Sequence, residues 1–400
     1  MMARTLVVLL AWVALALSAA GRALAPSGKD VVVTWKGSAV DPSALPAGLD
    51  AEVGATLATW LPWVREYSGR MDIDESGRIV FIEHQSSSGV RKHLAGAEAA
   101  LAQLDRRVPR VSRAPKSPAG RGDDVLPEDP EGAKPGAGRS WDDVQRGAVT
   151  QWGAGTRPLD TGTMVMFVLR DERDLEKVLD RLVELNPELA AWRAVASSQP
   201  GFALESPLVG AVVLGAAGQE EFDPENEVVH RVAELSLLRR SGRQPYWLLQ
   251  GWAWHVELLV RRSLYCFPYR NGFVSVGEHG GWDKALRSLW SKPTAPLSFK
   301  DLAALQRGKW DDRAAKHAWG VVAYVDQQHP EKLQQLLEDL RQAWDRGSRR
   351  DLGGGRWQRD AQWELEPAEL EKLFAARLGD TFLADLQAHF ARGGAASKRR

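Results

Sequence analysis

The sequence divides into a first part with strand-like runs and a second part that is almost wholly helical. β-Branched runs bounded by turn residues predict strands at residues 30–35, 77–84 and 164–169, and a further strand in the stretch LVGAVVLG. After Asp223, apolar residues recur at three- and four-residue spacing, which predicts helices to near the C-terminus. Strands that precede a long helical half predict an α+β fold.

A stretch rich in proline, glycine and charge separates two regions. Residues 28–108 are expected to be a small N-terminal α+β region, and residues 160–392 hold the remaining strands and helices. Residues 109–146 have few apolar side chains, which predicts a flexible linker or a surface insertion. Residues 393–400 are expected to be a disordered basic tail. The pattern leaves open whether residues 28–108 form an independent domain.

The N-terminus has the order of an export signal. One arginine precedes an apolar run from Leu6 to Leu17, and small residues follow it. We expect residues 1–20 to be a signal peptide and the protein to be secreted or periplasmic. An uncleaved N-terminal membrane anchor is the alternative, although the run is shorter than the roughly 20 residues of a membrane span. No later segment of the sequence could span a bilayer.

Charge and cysteine content exclude several classes of protein. The 52 basic and 52 acidic residues balance, so no general electrostatic attraction draws the chain to nucleic acid or to an anionic membrane. Cys266 is the only cysteine, so no intramolecular disulfide can form. The 17 tryptophans are expected to anchor the core and the helix contacts. No serine-hydrolase, phosphate-binding or dinucleotide motif is present. We therefore expect a protein or peptide partner, which the sequence does not identify.

Two consecutive helices carry the candidate site. Asp223 as N-cap and Pro224 at the first helical position predict a helix that runs to about Arg239. A second helix is expected to begin near Pro245, with the sequence WLLQGWAWHVE.

His230 and Glu234 share one face of the first helix, where two side chains four positions apart can hold one metal ion. Gln250 follows on the second helix, twenty residues beyond His230. A simpler interpretation is that Glu227, Arg231 and Glu234 form a charge ladder on a solvated helix face, with His230 partly buried.

The second helix resembles a motif of the gluzincin metallopeptidases of the peptidase MA-like type. In these exported or membrane-linked bacterial enzymes, a helix with H-E-x-x-H is followed by a helix with W-L-x-E-G-x-A-x-x-x-E. Residues of this chain stand where that pattern expects them: Trp247, Leu248, Gly251, Ala253 and Glu257. The resemblance covers roughly residues 160–392. It implies a zincin-like α+β fold, in which a short mixed sheet packs on a two-helix vestigial metal-site core with a helical C-terminal half.

The residues at the four chemical positions differ from those of the family. The resemblance places the first zinc ligand at His230, the general base at Arg231, the second ligand at Glu234 and the third at Gln250. Arginine stays protonated and cannot accept a proton from a metal-bound water. A neutral amide is a poor zinc ligand, so Gln250 cannot complete the site.

We therefore expect an exported pseudoenzyme without a cofactor, which uses the zincin scaffold for binding or for a structural role. Trp247, Gly251 and Glu257 would be structural residues around the vestigial site. The alternative is an active zinc-dependent hydrolase with a rearranged site on His230 and Glu234, to which His255 could add a ligand. A set with Glu278 and His279 is less favoured, because GEHGGW is typical of a glycine-rich turn. The other five histidines lack a spacing that suggests metal ligation.

Overall fold

A computed structural model describes residues 31–84, 89–110, 159–197, 199, 201–205, 207–214, 223–264, 281–291, 297–304, 311–353, 356–359 and 363–393. The predicted signal peptide, the linker beyond residue 110 and the basic tail beyond residue 393 lie outside the described residues. So do Cys266, Glu278 and His279.

Within the described residues, seven strands form one mixed sheet in the order β2-β1-β3-β4-β5-β7-β6. The neighbours β1 and β3, β4 and β5, and β5 and β7 run parallel, and the other pairs are antiparallel. A separate antiparallel pair, β8 and β9, follows late in the chain. The strands are β1 Val32–Trp35, β2 Ser38–Ala39, β3 Gly69–Ile73, β4 Ile79–His84, β5 Met164–Leu169, β6 Gly201–Leu204, β7 Val209–Val213, β8 Arg349–Gly353 and β9 Arg356–Arg359.

Strands β4 and β5 join the two regions that the sequence separates. Val80 pairs with Val165 and Phe81 pairs with Met166 in the parallel register. Each of the two apolar cores also combines residues from both regions. Residues 31–108 are therefore part of one sheet with the rest of the chain and have no core of their own.

The described helices are mostly those that the apolar periodicity predicts. No helix in the described ranges has both the length and the apolar content that a bilayer crossing needs. The helices are α1 Ala51–Tyr67, α2 Val90–Arg107, α3 Glu172–Leu185, α4 Ala190–Ala196, α5 Pro224–Ser241, α6 Tyr246–Arg261, α7 Trp282–Trp290, α8 Phe299–Ala303, α9 Asp312–Gln328, α10 Pro330–Gly347, α11 Pro367–Leu378 and α12 Phe382–Ala391.

The sheet separates two apolar layers. Alternate residues of a strand point to opposite faces, so Val165 and Phe167 meet α1, α3 and α4, whereas Met164 and Met166 meet α2 and α5. Both faces are covered, which explains why β4, β5 and β7 are continuous apolar runs. The helical C-terminal half extends the layer of α2 and α5, and it encloses α5 on the side away from the sheet.

Helix α5 lies at the centre of the molecule. The side chain of Asp223 caps its N-terminus by accepting hydrogen bonds from the backbone N–H groups of Glu225 and Asn226, and Pro224 occupies the first turn. Every residue from 226 to 241 is buried. A helix that is buried on all sides has no solvated face, so the candidate site residues on α5 are buried.

Candidate functional site

The structure brings the candidate site residues His230, Arg231, Glu234 and Gln250 together between α5 and α6. Nε2 of His230 lies 3.1 Å from Oε1 of Gln250. Nε2 of Gln250 donates a hydrogen bond to Oε1 of Glu234. Nη1 of Arg231 donates to the other oxygen of that carboxylate, Oε2, at 3.0 Å. A continuous chain of hydrogen bonds therefore connects His230, Gln250, Glu234 and Arg231.

Glu257 and Asn226 extend this chain beyond His230. Nδ1 of His230 lies 3.2 Å from Oε2 of Glu257. Nδ2 of Asn226 donates to Oε1 of Glu257 at 2.7 Å and to the carbonyl oxygen of Ser263 at 2.9 Å. Asn226 was not predicted as a site residue. Its position four residues before His230, on the same helix face, is the signal that could have identified it.

Arg231 bridges two carboxylates of its own helix. Its Nε donates to Oε1 of Glu227 at 2.8 Å, and its Nη1 donates to Glu234. Only 1% of Glu227 and 3% each of Arg231 and Glu234 are exposed. The predicted charge ladder is present, but its prediction as a solvated face was wrong, because the sheet, α2 and α6 surround α5. His230 is fully buried rather than partly buried.

Two further residues of α6, Gly251 and Trp247, contact the helical C-terminal half. Gly251 lies against α9, where an added Cβ would be 2.5 Å from the carbonyl oxygen of Ala318. Only glycine permits the backbones of α6 and α9 to approach so closely. The ring of Trp247 lies 6.1 Å from that of Phe374 on α11. Gly251 and Trp247 thus hold α6 against the helical C-terminal half.

The polarity of the hydrogen bonds determines the protonation state of His230. A carboxylate only accepts hydrogen bonds, so Gln250 turns its NH₂ group to Glu234 and its carbonyl oxygen to His230. This orientation favours a proton on Nε2 of His230. Nδ1 faces the carboxylate of Glu257, which favours a proton there too. The two contacts together favour the imidazolium form of His230.

The electrostatic surroundings of His230 act in the same direction. Burial by itself lowers the pKa of His230. The hydrogen bond to Glu257 and the negative charges of Glu234 and Glu257 outweigh both burial and the charge of Arg231, so the pKa lies above its ordinary value. An imidazolium has no lone pair to offer, and a histidine that binds a metal must be neutral.

His255 belongs to a different group of side chains. Its Nε2 lies 2.8 Å from Oδ2 of Asp326, which also accepts a hydrogen bond from Nε of Arg107 at 2.8 Å. This group ties α6 to α9 and α2. Over the described ranges, no set of three or more His, Cys, Asp or Glu side chains is arranged to hold a metal ion.

The site therefore consists of buried, mutually paired polar groups. None of the four side chains His230, Arg231, Glu234 and Gln250 is more than 3% exposed. The guanidinium of Arg231 is bound to two carboxylates. No known protein-family model matches the chain, and no curated protein matches it either.

Proposed function

We propose that the protein is an exported, non-catalytic relative of the gluzincin metallopeptidases, which keeps a zincin-like scaffold for binding or for a structural role. One observation carries the proposal: the hydrogen-bonded chain through His230, Gln250, Glu234 and Arg231. The side chains at these four positions bind one another, which is the arrangement expected if paired polar groups have replaced a metal ion and its ligands.

Peptide hydrolysis is not supported by these side chains. The reaction needs a base that accepts a proton from water, and Arg231 remains protonated and paired. It also needs water at the site, whereas His230 and Gln250 are 0% and 1% exposed. Without a base or an activated water, no nucleophile forms near neutral pH.

The proposal gives the chain of hydrogen bonds a structural role. A metal ion held by two helices would link them, and here Gln250 and Glu257 of α6 link to His230 and Glu234 of α5. Arg231 supplies a positive charge among the carboxylates of Glu227 and Glu234. The scaffold therefore does not require a cofactor to keep α5 and α6 together.

An active hydrolase with a rearranged metal site is less well supported. His230 would have to lose a proton that faces Glu257 or Gln250, and Glu234 would have to leave both Gln250 and Arg231. His255 would have to leave Asp326. Each rearrangement leaves a buried polar partner unsatisfied, at a cost of about 1–3 kcal/mol per group.

Metal analysis of purified variants tests the proposal. Wild-type protein should retain no stoichiometric zinc after dialysis. The triple variant Arg231→Glu, Glu234→His and Gln250→Glu restores H-E-x-x-H and a distal glutamate, so it should bind about one zinc per chain. Adding His230→Ala to the triple variant should abolish this binding. Circular dichroism establishes that each variant is folded.

Two results would contradict the proposal. A folded triple variant that gains no zinc would mean that the four positions do not form a former metal site. One zinc per chain in wild type, lost in His230→Ala, would favour the rearranged hydrolase instead.

The export part of the proposal rests on the charge, apolar run and small residues of residues 1–20. Fusion of residues 1–25 to an enzyme that is active only outside the cytoplasm should give reporter activity. A matched fusion with Leu9→Arg and Leu10→Arg, which interrupts the apolar run, should give none. Equal activity of the two fusions would contradict export by this segment.

A further inference from the structure

A second buried histidine lies in the helical half of the molecule, away from the candidate site. His317 of α9 is 5% exposed. Its ring stacks on that of Trp290 of α7, with centroids 5.3 Å apart and planes 15° from parallel. Among the described residues, neither Nε2 of His317 nor Nε1 of Trp290 has a hydrogen-bond partner. The contact between the two rings is therefore a packing contact.

The charged groups around His317 do not provide a hydrogen-bonded acceptor. Arg313 and Asp311 come from its own helix, Asp301 comes from α8, and α7 presents the ring of Trp290. Oδ2 of Asp301 already accepts hydrogen bonds from the backbone and hydroxyl groups of Ser298 at 3.0 and 2.7 Å. Burial and the charge of Arg313 outweigh the two aspartates and lower the pKa of His317 to about 4.

Helix α7 packs on α9 and α6 at its N-terminal end, where the ring of Trp282 lies 6.0 Å from that of Trp319 and 5.5 Å from that of Trp254. Trp282 and Leu286 are its buried residues. An added Cβ at Gly320 of α9 would be 2.6 Å from Leu286 and 3.4 Å from Trp290. The C-terminal end of α7 thus rests on the turn of α9 between His317 and Gly320. A single helix can open locally at a lower free energy than that of global unfolding.

We propose that α7 is an acid-sensitive latch that opens when His317 is protonated. The imidazole takes up a proton from solvent and becomes a buried cation without a hydrogen-bonded anion, which is unfavourable. A cation–π contact with the face of Trp290 offsets only part of the free-energy cost of burying the imidazolium. Separation of α7 from α9 lets the imidazolium reach water, so acid favours the open form.

Hydrogen exchange of the full chain tests the latch. Amides of residues 282–290 are followed by mass spectrometry at pH 7, 5 and 4, with rates corrected for the intrinsic effect of pH. Their protection should fall by about tenfold or more between pH 7 and pH 4, while amides of α5 stay protected.

Substitutions distinguish the latch from general acid unfolding. His317→Phe keeps a stacked ring that cannot take up a proton, so residues 282–290 should stay protected at pH 4. His317→Gln, which is also neutral at every pH, serves in its place if the phenylalanine variant does not fold. His329→Phe, at the C-terminal end of α9, should keep the wild-type response. The proposal is overturned if residues 282–290 lose protection equally in wild type and in the His317 variants. It is also overturned if α5 loses protection together with α7, or if wild type loses none at pH 4.

Discussion

Oε1 of Gln250 lies 3.1 Å from Nε2 of His230, so a neutral amide faces the ring nitrogen on the α6 side of the site. A glutamate at position 250 would add a third carboxylate beside Glu234 and Glu257. Arg231 also reduces the negative charge of the site, since its guanidinium offsets the charges of Glu227 and Glu234. Gln250 and Arg231 thus limit the net negative charge of a buried site that already holds the carboxylates of Glu227, Glu234 and Glu257.

The stability of the protein should decrease at alkaline pH because of His230. Its pKa in the folded state is raised, so the folded protein binds this proton more tightly than the unfolded chain. The resulting stabilisation is fully present below the ordinary pKa of 6.5 and is lost as the pH rises through the folded-state value. Urea unfolding between pH 6 and pH 9 measures this loss. His230→Gln should be less stable than wild type at pH 6, and its free energy of unfolding should change less between pH 6 and pH 9. An equal change in both proteins would contradict a raised pKa for His230.

Arg231→Met should destabilise the protein strongly. The change leaves the carboxylates of Glu227 and Glu234 buried without their cation, and breaking a buried ion pair in this way costs about 3–5 kcal/mol. Arg181→Met is the control, because Arg181 and Glu184 form an exposed pair worth at most about 1 kcal/mol. Equilibrium unfolding in urea compares the two variants. Similar losses would mean that Arg231 is not buried as the structure has it.

Gly251→Ala should separate α6 from α9. The added methyl group would meet the backbone carbonyl of Ala318 at 2.5 Å, and overpacking of this kind costs about 1–3 kcal/mol or more. Gly96→Ala on α2 is the matched control. Its methyl group would meet only Cγ2 of Val229 at 3.1 Å, and alanine gains helix propensity there of up to about 1 kcal/mol. Thermal unfolding should give a lower unfolding temperature for Gly251→Ala than for Gly96→Ala. Equal unfolding temperatures would mean that α6 does not pack closely on α9.

Residues 111–158 should be replaceable by a short linker without loss of the fold. The chain leaves and returns at one place, where Nε of Arg110 lies 3.0 Å from Oδ2 of Asp160. Arg240 secures both ends, since it donates to the carbonyl oxygen of Val108 and to Oδ1 of Asp160. A linker of roughly eight glycine and serine residues should leave stability unchanged or raise it by about 1–2 kcal/mol, because the closed loop is shorter.

Urea unfolding of the shortened protein tests this expectation. A version that also carries Arg110→Ala and Asp160→Ala should be less stable than the shortened protein alone. Failure of the shortened protein to fold would mean that residues 111–158 contribute contacts that the sheet and helices need.

The sequence was sufficient for elements whose signals are local. The aspartate cap and proline at the start of α5, the apolar runs of β4 and β5, and the helical periodicity after Asp223 all predicted elements that the structure contains. The four-residue spacing of Leu175 and Leu179 is typical of one helix face, and both are buried on α3. These signals are readable because caps and periodic patterns act within one or two turns of the chain.

Strands β3 and β6 were not predicted. The sequence of β3, Gly69–Ile73, includes arginine and aspartate, and β6, Gly201–Leu204, is only four residues long with a glycine at its start. Neither has the alternation or the β-branched content of a strand considered alone. They are strands because β4 and β7 lie beside them and complete their hydrogen bonds, and this depends on residues distant in sequence.

The tertiary structure alone decided the character of the candidate site. The spacing of Glu227, Arg231 and Glu234 is the same for a solvated face and for a buried one, and only the packing of the sheet, α2 and α6 around α5 makes it buried. The partners of His230 come from α6, twenty and twenty-seven residues away, and their carboxylate and amide oxygens favour the protonated ring. Local sequence determines which residues share a helix face, whereas burial, charge state and metal affinity depend on what the fold places opposite that face.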